Sequence, residues 1–337
     1  MKAAVLTGER QMAIKDVAIP RIGKDELLVK VECAGICGSD VHAYKSLIFP
    51  VGTILGHEFA GTVSEVGEDV KTMKPGQRVV VRPPGICGEC EWCHRGELAL
   101  CSKHFENTLG LQIPGGFAEF VKMKEYQAIL LPENVSFEEA AQCEPLAVCF
   151  RGSHSAELKV GEPVLIFGAG PIGLLILQLT RLRGARPIFV IEKSRRRREK
   201  AMELGADYVW EPSSDPVDSV RKGEKAGVRL IYDCVGIEET LQQGLEIAKP
   251  GGKIVMIGAT ARPVTLNQLR WLQRGITIVA SMGYFVDDFA AALRALEKKT
   301  INVETLVSHI LPLEDIEKGI RFLENPEQAL KILIKVS

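Results

Sequence analysis

The chain has no apolar run long enough to cross a bilayer. Stretches such as 164–167 or 254–257 fall far short of the roughly 20 residues that a span needs. It also has almost no excess charge: 42 Lys and Arg face 43 Asp and Glu, and the net charge of −1 gives no bulk attraction to nucleic acid or an anionic membrane. The opening residues, Met1-Lys2-Ala3-Ala4-Val5-Leu6, lack an apolar signal core. There is no internal repeat, low-complexity segment or disordered linker. These absences point to a cytoplasmic globular protein with no nucleic-acid or membrane partner. In that reducing compartment the nine cysteines stay as thiols, so a cluster of them favours a metal over disulfides.

What is present divides by texture. A chain of 337 residues with 46% apolar and 25% charged residues has material for two domains with ample core. Up to about residue 150 it reads as mostly β. Short β-like runs such as 27–32 and 78–82 are punctuated by glycines at 35, 38, 52, 56, 61 and 67, which fits short strands and tight turns, not long helices. From about 157 to 281 strand and helix alternate. Strands are expected at 163–167, 187–191, 208–210, 230–233, 253–257 and 276–280, with helices at 174–183, 195–204, 238–248 and 266–273. Such alternation argues a doubly wound parallel sheet. Beyond 282 it ends, and a helix over 288–299 is followed by strand, helix and strand.

Three motifs carry chemistry. Cys87, Cys90, Cys93 and Cys101 stand within fifteen residues of polar sequence. Four converging thiolates close a tetrahedral zinc site with no open position, so its role is structural. Cys37 with His57 is less specific, since a lone cysteine and a lone histidine are more often packing residues than ligands. Their neighbours Ser39, His42 and Glu58 are chemically useful, however, and Glu144 lies in the apolar run 140–148, where an unpaired charge is costly unless a metal compensates it. Glu144 also reads as a surface carboxylate at a helix end.

The third motif is Gly168-Ala169-Gly170-Pro171-Ile172-Gly173, after an expected strand and before an expected helix. This is the context of a dinucleotide loop, in which glycines let a pyrophosphate approach the helix N-terminus. Glu192 follows at the distance of a ribose-binding carboxylate. The run Arg195 to Arg198 reads mainly as the solvated face of a helix start, with one arginine, Arg197, reaching the adenosine. Glu192 would repel a 2′-phosphate, which favours NAD over NADP.

Taken together, Gly56-His57-Glu58-x2-Gly61-x5-Gly67-x2-Val70, Cys37-Gly38-Ser39-Asp40-Val41-His42, the four-cysteine lobe, Gly115-Gly116-Phe117-Ala118-Glu119 and Glu144-Pro145-Leu146-Ala147 resemble the zinc-containing medium-chain alcohol dehydrogenases, in the branch of polyol (sorbitol-type), butanediol and threonine dehydrogenases. The likeness covers essentially the whole chain. It implies a GroES-like β-rich catalytic domain from 1–150 and 282–337, and a Rossmann NAD-binding domain from 151–281. It further implies one catalytic zinc on Cys37, His57 and a carboxylate, Glu144 or Glu58. A second, structural zinc would sit on the four cysteines. A proton relay would run through Ser39 and His42, with Glu58 beside it, and the chain would form a homodimer or homotetramer. The implied activity is oxidation of a secondary alcohol or polyol to the ketone. L-threonine 3-dehydrogenase is the alternative, and a catalytically silent member used as a binding protein is the non-enzymatic one. Glycine at 283, where sorbitol-type enzymes carry arginine before a tyrosine, and Arg151, where the pattern often has histidine, argue against a long sugar polyol.

Overall fold

The computed structural model describes residues 1–260 and 262–336, and they form two compact units. One comprises the chain up to Pro145 together with the segment from Phe285 onward; the other is Leu146–Tyr284. The divisions differ by a few residues from those expected at 150/151 and 281/282. The first falls inside the continuous helix Cys143–His154, where no change of texture marks it. None of the helices among the described residues is long and apolar enough to cross a membrane.

The first unit is built on a seven-stranded sheet. Its path runs Val307–Pro312, Lys331–Lys335, Glu26–Gly35, Glu58–Val66, Arg78–Val81, Ala128–Leu130, and Phe120–Lys124 pairs with Glu26–Gly35 off that path. Glu26–Gly35 is central and buried along most of its length, which explains its Leu27, Leu28, Val29 and Val31. The late strand Lys331–Lys335 pairs antiparallel with Cys33, Ala34 and Gly35. Val29, Val31, Phe59, Val63, Val79 and Phe117 share one core, each such side chain contributing about 1.5–3 kcal/mol by leaving water.

Two elements of this unit refine the expected texture. The glycine-punctuated stretch after residue 35 contains a helix, Gly38–Ser46, started at Cys37, whose backbone N–H donates to Asp40 Oδ2 at 2.8 Å. That capping contact, invisible to hydrophobic periodicity, outweighs the glycine at its first position. The run 117–121 also reads as a strand from its residues, and the strand itself lies at Phe120–Lys124.

The second unit holds a six-stranded parallel sheet in the order Tyr208–Trp210, Ile188–Ile191, Val164–Phe167, Val228–Asp233, Ala248–Met256, Thr277–Ala280. In sequence terms this is 3-2-1-4-5-6, the Rossmann order, whose switch point lies between the first and fourth strands. The first strand, Val-Leu-Ile-Phe, is buried throughout, as a central parallel strand must be. The helix Pro171–Leu182 begins three residues before the expected 174 because Gly170 caps it and Pro171 fits its first turn. A helix Pro216–Gly223 was not expected. Asp215 caps it, its side chain accepting from Asp218 N at 3.1 Å.

Candidate metal and cofactor sites

The four-cysteine lobe closes on itself. All four sulfurs lie within 4.8 Å of one another and none is in a disulfide. Cys87 Sγ is 3.8 Å and Cys90 Sγ 3.5 Å from Cys93 Sγ. A tetrahedron with Zn–S of about 2.3 Å has S···S edges of about 3.8 Å, so the spacing fits zinc. A one-turn helix, Glu91–His94, presents Cys93, with Cys90 at its start. Backbone N–H groups already serve the sulfurs: Cys90 N donates to Cys87 Sγ, and Cys87 N and Lys103 N donate to Cys101 Sγ, each at 3.4 Å. Backbone hydrogen bonds from Glu89 and Cys90 hold Cys87 down to about 6, while burial pushes Cys93 up to about 12. Cys87 is therefore the readiest thiolate of the lobe, and Cys93 gives up its proton only as a dication binds.

In the same unit, Cys37, His57 and Glu58 also converge within 4.8 Å. Cys37 caps the helix Gly38–Ser46, and Glu58 opens the strand Glu58–Val66, opposite Gly35. His57 follows Gly56, whose φ of +93° favours glycine and where a Cβ would come within 2.8 Å of the Phe117 ring. Burial lowers the His57 pKa, but the negative charges of Cys37, Asp40 and Glu144 more than offset it and hold the ring well above its ordinary value. His57 Nδ1 is buried without a hydrogen bond, 3.8 Å from Asp40 Oδ1.

Around these three lies an excess of buried acid. Asp40 is inaccessible to solvent, and burial raises its pKa. Burial, with Glu58 and Asp40 adding to it, pushes Glu144 up to about 7 against the opposing charge of His57. Glu144 thus faces the same cluster, although its carboxylate is not within the 4.8 Å set. The one lysine here, Lys331, pairs with Glu58. A soft sulfur, an orphaned imidazole nitrogen and surplus buried carboxylate are the donor set and the charge deficit that a zinc dication would satisfy.

Ser39 and His42 lie three residues apart on the helix Gly38–Ser46, and so on one face. Ser39 Oγ is buried without a partner, whereas His42 is exposed. A buried hydroxyl left unmatched is ready for an incoming hydroxyl.

In the second unit, Gly168 at φ +85° turns the chain out of its strand and Gly170 caps the helix Pro171–Leu182 without a side-chain bond. A Cβ on Gly173 would strike the Gly168 carbonyl oxygen; one on Gly170 would meet only the Arg197 guanidinium, at 3.7 Å. The helix N-terminus is therefore an open cradle with a cation beside it, which fits a pyrophosphate. Glu192 is almost fully buried and straddles the loop, accepting from Ala169 N at 2.7 Å and Ser194 N at 2.8 Å. One bond to each oxygen leaves lone pairs for a further donor. Arg195 pairs along its helix with Glu199 at 2.9 Å, and Arg198 pairs with Glu211 at 3.0 Å. Arg151 lies half-buried in Cys143–His154.

Three further residues shape these sites. Asp40 stands between Ser39 and Val41, where nothing in the spacing marks its burial or its bond from Cys37 N. Asp233 accepts from Val235 N at 3.0 Å, Gly236 N at 2.9 Å and Thr240 Oγ1 at 3.0 Å, fixing the loop beside Gly168. Lys331 sits in the apolar run Ala329-Leu330-Lys331-Ile332-Leu333-Ile334, and a charge interrupting such a run was the available signal.

Residues 23–133 match the family described as alcohol dehydrogenase GroES-like domain, and residues 171–298 the one described as zinc-binding dehydrogenase. The chain is 31% identical to sorbitol dehydrogenase of Bombyx mori, over 99% of this chain and 98% of that protein. It is 34% identical to L-threonine 3-dehydrogenase of Caldanaerobacter subterraneus subsp. tengcongensis, over 90% of each. The solved 2R,3R-butanediol dehydrogenase of Bacillus subtilis superposes with a TM-score of 0.91 at 30% identity, covering 100% of this chain and 99% of that one.

Proposed function

The chain belongs to the zinc-binding dehydrogenases with a GroES-like alcohol dehydrogenase domain, in the branch of the polyol and threonine dehydrogenases, and on that premise we propose that it oxidises a secondary alcohol or polyol to the ketone, with the hydride passing to NAD. The observation that carries this reading is the converging set of half-buried Cys37 with buried His57 and Glu58 and its surplus of acid, in a chain that also has a glycine cradle for a dinucleotide.

Bound zinc supplies Lewis acidity to the substrate hydroxyl, and bound nicotinamide accepts the hydride. Cys37, His57 and a carboxylate, Glu144 or Glu58, hold the metal. Ser39 takes the substrate proton through its unmatched Oγ, and the exposed His42 delivers it to solvent. Gly168, Gly170, Pro171, Ile172 and Gly173 seat the pyrophosphate, Glu192 accepts from the ribose hydroxyls and Arg197 lies against the adenosine. A carboxylate at Glu192 favours free hydroxyls over a 2′-phosphate, hence NAD over NADP. Cys87, Cys90, Cys93 and Cys101 hold a second, structural zinc. The protein works in the cytoplasm as a homodimer or homotetramer. The outer strand Thr277–Ala280, with Leu269 and Leu272 exposed on the preceding helix, supports self-association.

The test is NADH formation on sorbitol, xylitol, butane-2,3-diol, a polyol phosphate and L-threonine, with zinc supplied. Turnover of a polyol or diol is the expected result. Turnover of L-threonine alone would replace this reading with that of the threonine relative and make Arg151 a candidate for its carboxylate.

A further inference from the structure

The second unit carries a cleft away from its dinucleotide loop. Its volume is about 510 Å³, and Arg221, Arg270, Arg274, Glu246, Gln273 and Leu245 are among the residues that line it. Three helix ends meet there. Arg221 stands near the end of Pro216–Gly223, Glu246 near the end of Glu238–Ile247, and Arg274 closes Gln268–Arg274. These helices lead into the strands Val228–Asp233, Ala248–Met256 and Thr277–Ala280. The cleft therefore lies where the strands of the parallel sheet begin. The glycine cradle follows the last residue of Val164–Phe167, so it lies where they finish. The two are separate sites, at opposite ends of one sheet.

Each arginine has a local task. Arg274 Nη1 donates to the carbonyls of Leu245 at 2.7 Å and Glu246 at 2.8 Å, and Arg221 Nη2 donates to the Glu246 carbonyl at 3.0 Å. Arg270 Nη1 pairs with Glu246 Oε1 at 2.6 Å. Closing a helix C-terminus explains one such cation. It does not explain three. Arg221 and Arg274 share one carbonyl, which brings like charges together. Arg270, Gln273 and Arg274 stand at i, i+3 and i+4, on one helix face. Burial, with the charges of Arg221 and Arg270 adding to it, lowers the Arg274 pKa against the opposing charge of Glu246. Among the described residues, Glu246 is the one carboxylate that lines the cleft, so two positive charges stay unbalanced there. A guanidinium has five N–H donors, and these bonds leave some of them open on all three arginines.

We propose that this cleft binds a phosphate monoester with a polar, non-aromatic body, of the sugar-phosphate class, held by Arg221, Arg270 and Arg274. Two unbalanced charges match a phosphate group that is close to dianionic at neutral pH. Guanidinium forks pair with its oxygens two at a time. The volume is that of a small-molecule site, more than a bare phosphate ion fills. Leu245 is the one apolar residue of the described lining, and no aromatic ring is present there to stack a base, which disfavours a nucleotide.

The test is isothermal titration calorimetry of the full-length protein at constant ionic strength, with NADH present and with glucose 6-phosphate, glucose and inorganic phosphate as probes. Glucose 6-phosphate should bind wild type, and glucose should not. R221Q/R270Q changes two exposed side chains and should weaken that binding at least tenfold, with the melting temperature and NADH affinity of wild type retained. Should the double variant not fold, R270Q alone should weaken it at least threefold. E246Q should tighten it, since the carboxylate that opposes the anion is gone. Binding unchanged in R221Q/R270Q and R270Q, or no binding of glucose 6-phosphate to wild type up to about 10 mM, would overturn the proposal. Inorganic phosphate binding as tightly as the ester would overturn the sugar-phosphate assignment in favour of the free ion.

Discussion

At the scale of single residues, the candidate catalytic centre is a problem of uncompensated charge. Asp40, Glu58 and Glu144 crowd around His57 and Cys37 with one ammonium among them. Water would normally relieve such crowding, and here burial prevents it. His57→Ala should therefore cost more than a packing residue would. Metal analysis should show the loss of one zinc per chain, and turnover should drop by more than about a hundredfold, since removing even an outer partner of a ligand costs about 10–100-fold. A second residue-scale prediction concerns acid stability. Glu162 is partly buried, which raises its pKa, but the hydrogen bond and charge of Arg229 at 2.7 Å outweigh burial and leave it below its ordinary 4.5. A carboxyl lowered in the fold adds stability that is complete above the unfolded value and disappears as pH falls through the folded one. Glu162→Gln should thus be less stable than wild type by about 1 kcal/mol at neutral pH, the scale of a partly exposed pair. Denaturant melts at descending pH should show that gap closing below pH 4.5. A gap that is constant with pH would exclude the ion pair as its cause.

At the scale of elements, the strand-loop-helix of the second unit was legible because each step has a local cause. A buried run of Val-Leu-Ile-Phe gives the strand, Gly168 the turn, and Gly170 with Pro171 the helix start. The prediction here falls on Gly173. Its Cβ would be driven into the Gly168 carbonyl, so Gly173→Ala must displace the loop from the helix. NADH binding, followed by nucleotide fluorescence, should weaken at least tenfold while the circular dichroism of the chain is retained. Unchanged affinity would mean that the pyrophosphate does not rest on this turn. The helix Gly38–Ser46 was not legible, because a glycine at its head and an Asp40 cap replace the apolar periodicity that marks most helices. Glu192 was half legible. Its distance from the loop could be counted, but its two backbone bonds to Ala169 and Ser194, which fasten the loop itself, could not.

At the scale of the whole molecule, the chain begins and ends in one unit and builds the other from its middle. Texture alone assigned the middle. The return of the tail to the first unit rests on strand pairing between Lys331–Lys335 and Cys33 to Gly35, a contact across about three hundred residues that no local pattern encodes. That same pairing delivers Lys331 to Glu58, which is why the lysine had no visible role in the sequence. Two candidate metal-binding clusters among the described residues, both in one unit, predict two zinc ions per chain with separable roles. Cys90→Ser should lose one zinc and lower the melting temperature, and the zinc held by Cys37 and His57 should remain. A mutant that loses both ions together would show that the clusters are not independent.

The account stands or falls on metal-dependent hydride transfer. The direct measurement is NADH formation from an alcohol or diol by the same preparation as isolated, after chelation, and after zinc is returned, with His57→Ala carried in parallel. Turnover that disappears on chelation, returns with zinc and never returns in His57→Ala is the result predicted. Undiminished turnover in the metal-free protein, or restoration of His57→Ala by zinc, would contradict it.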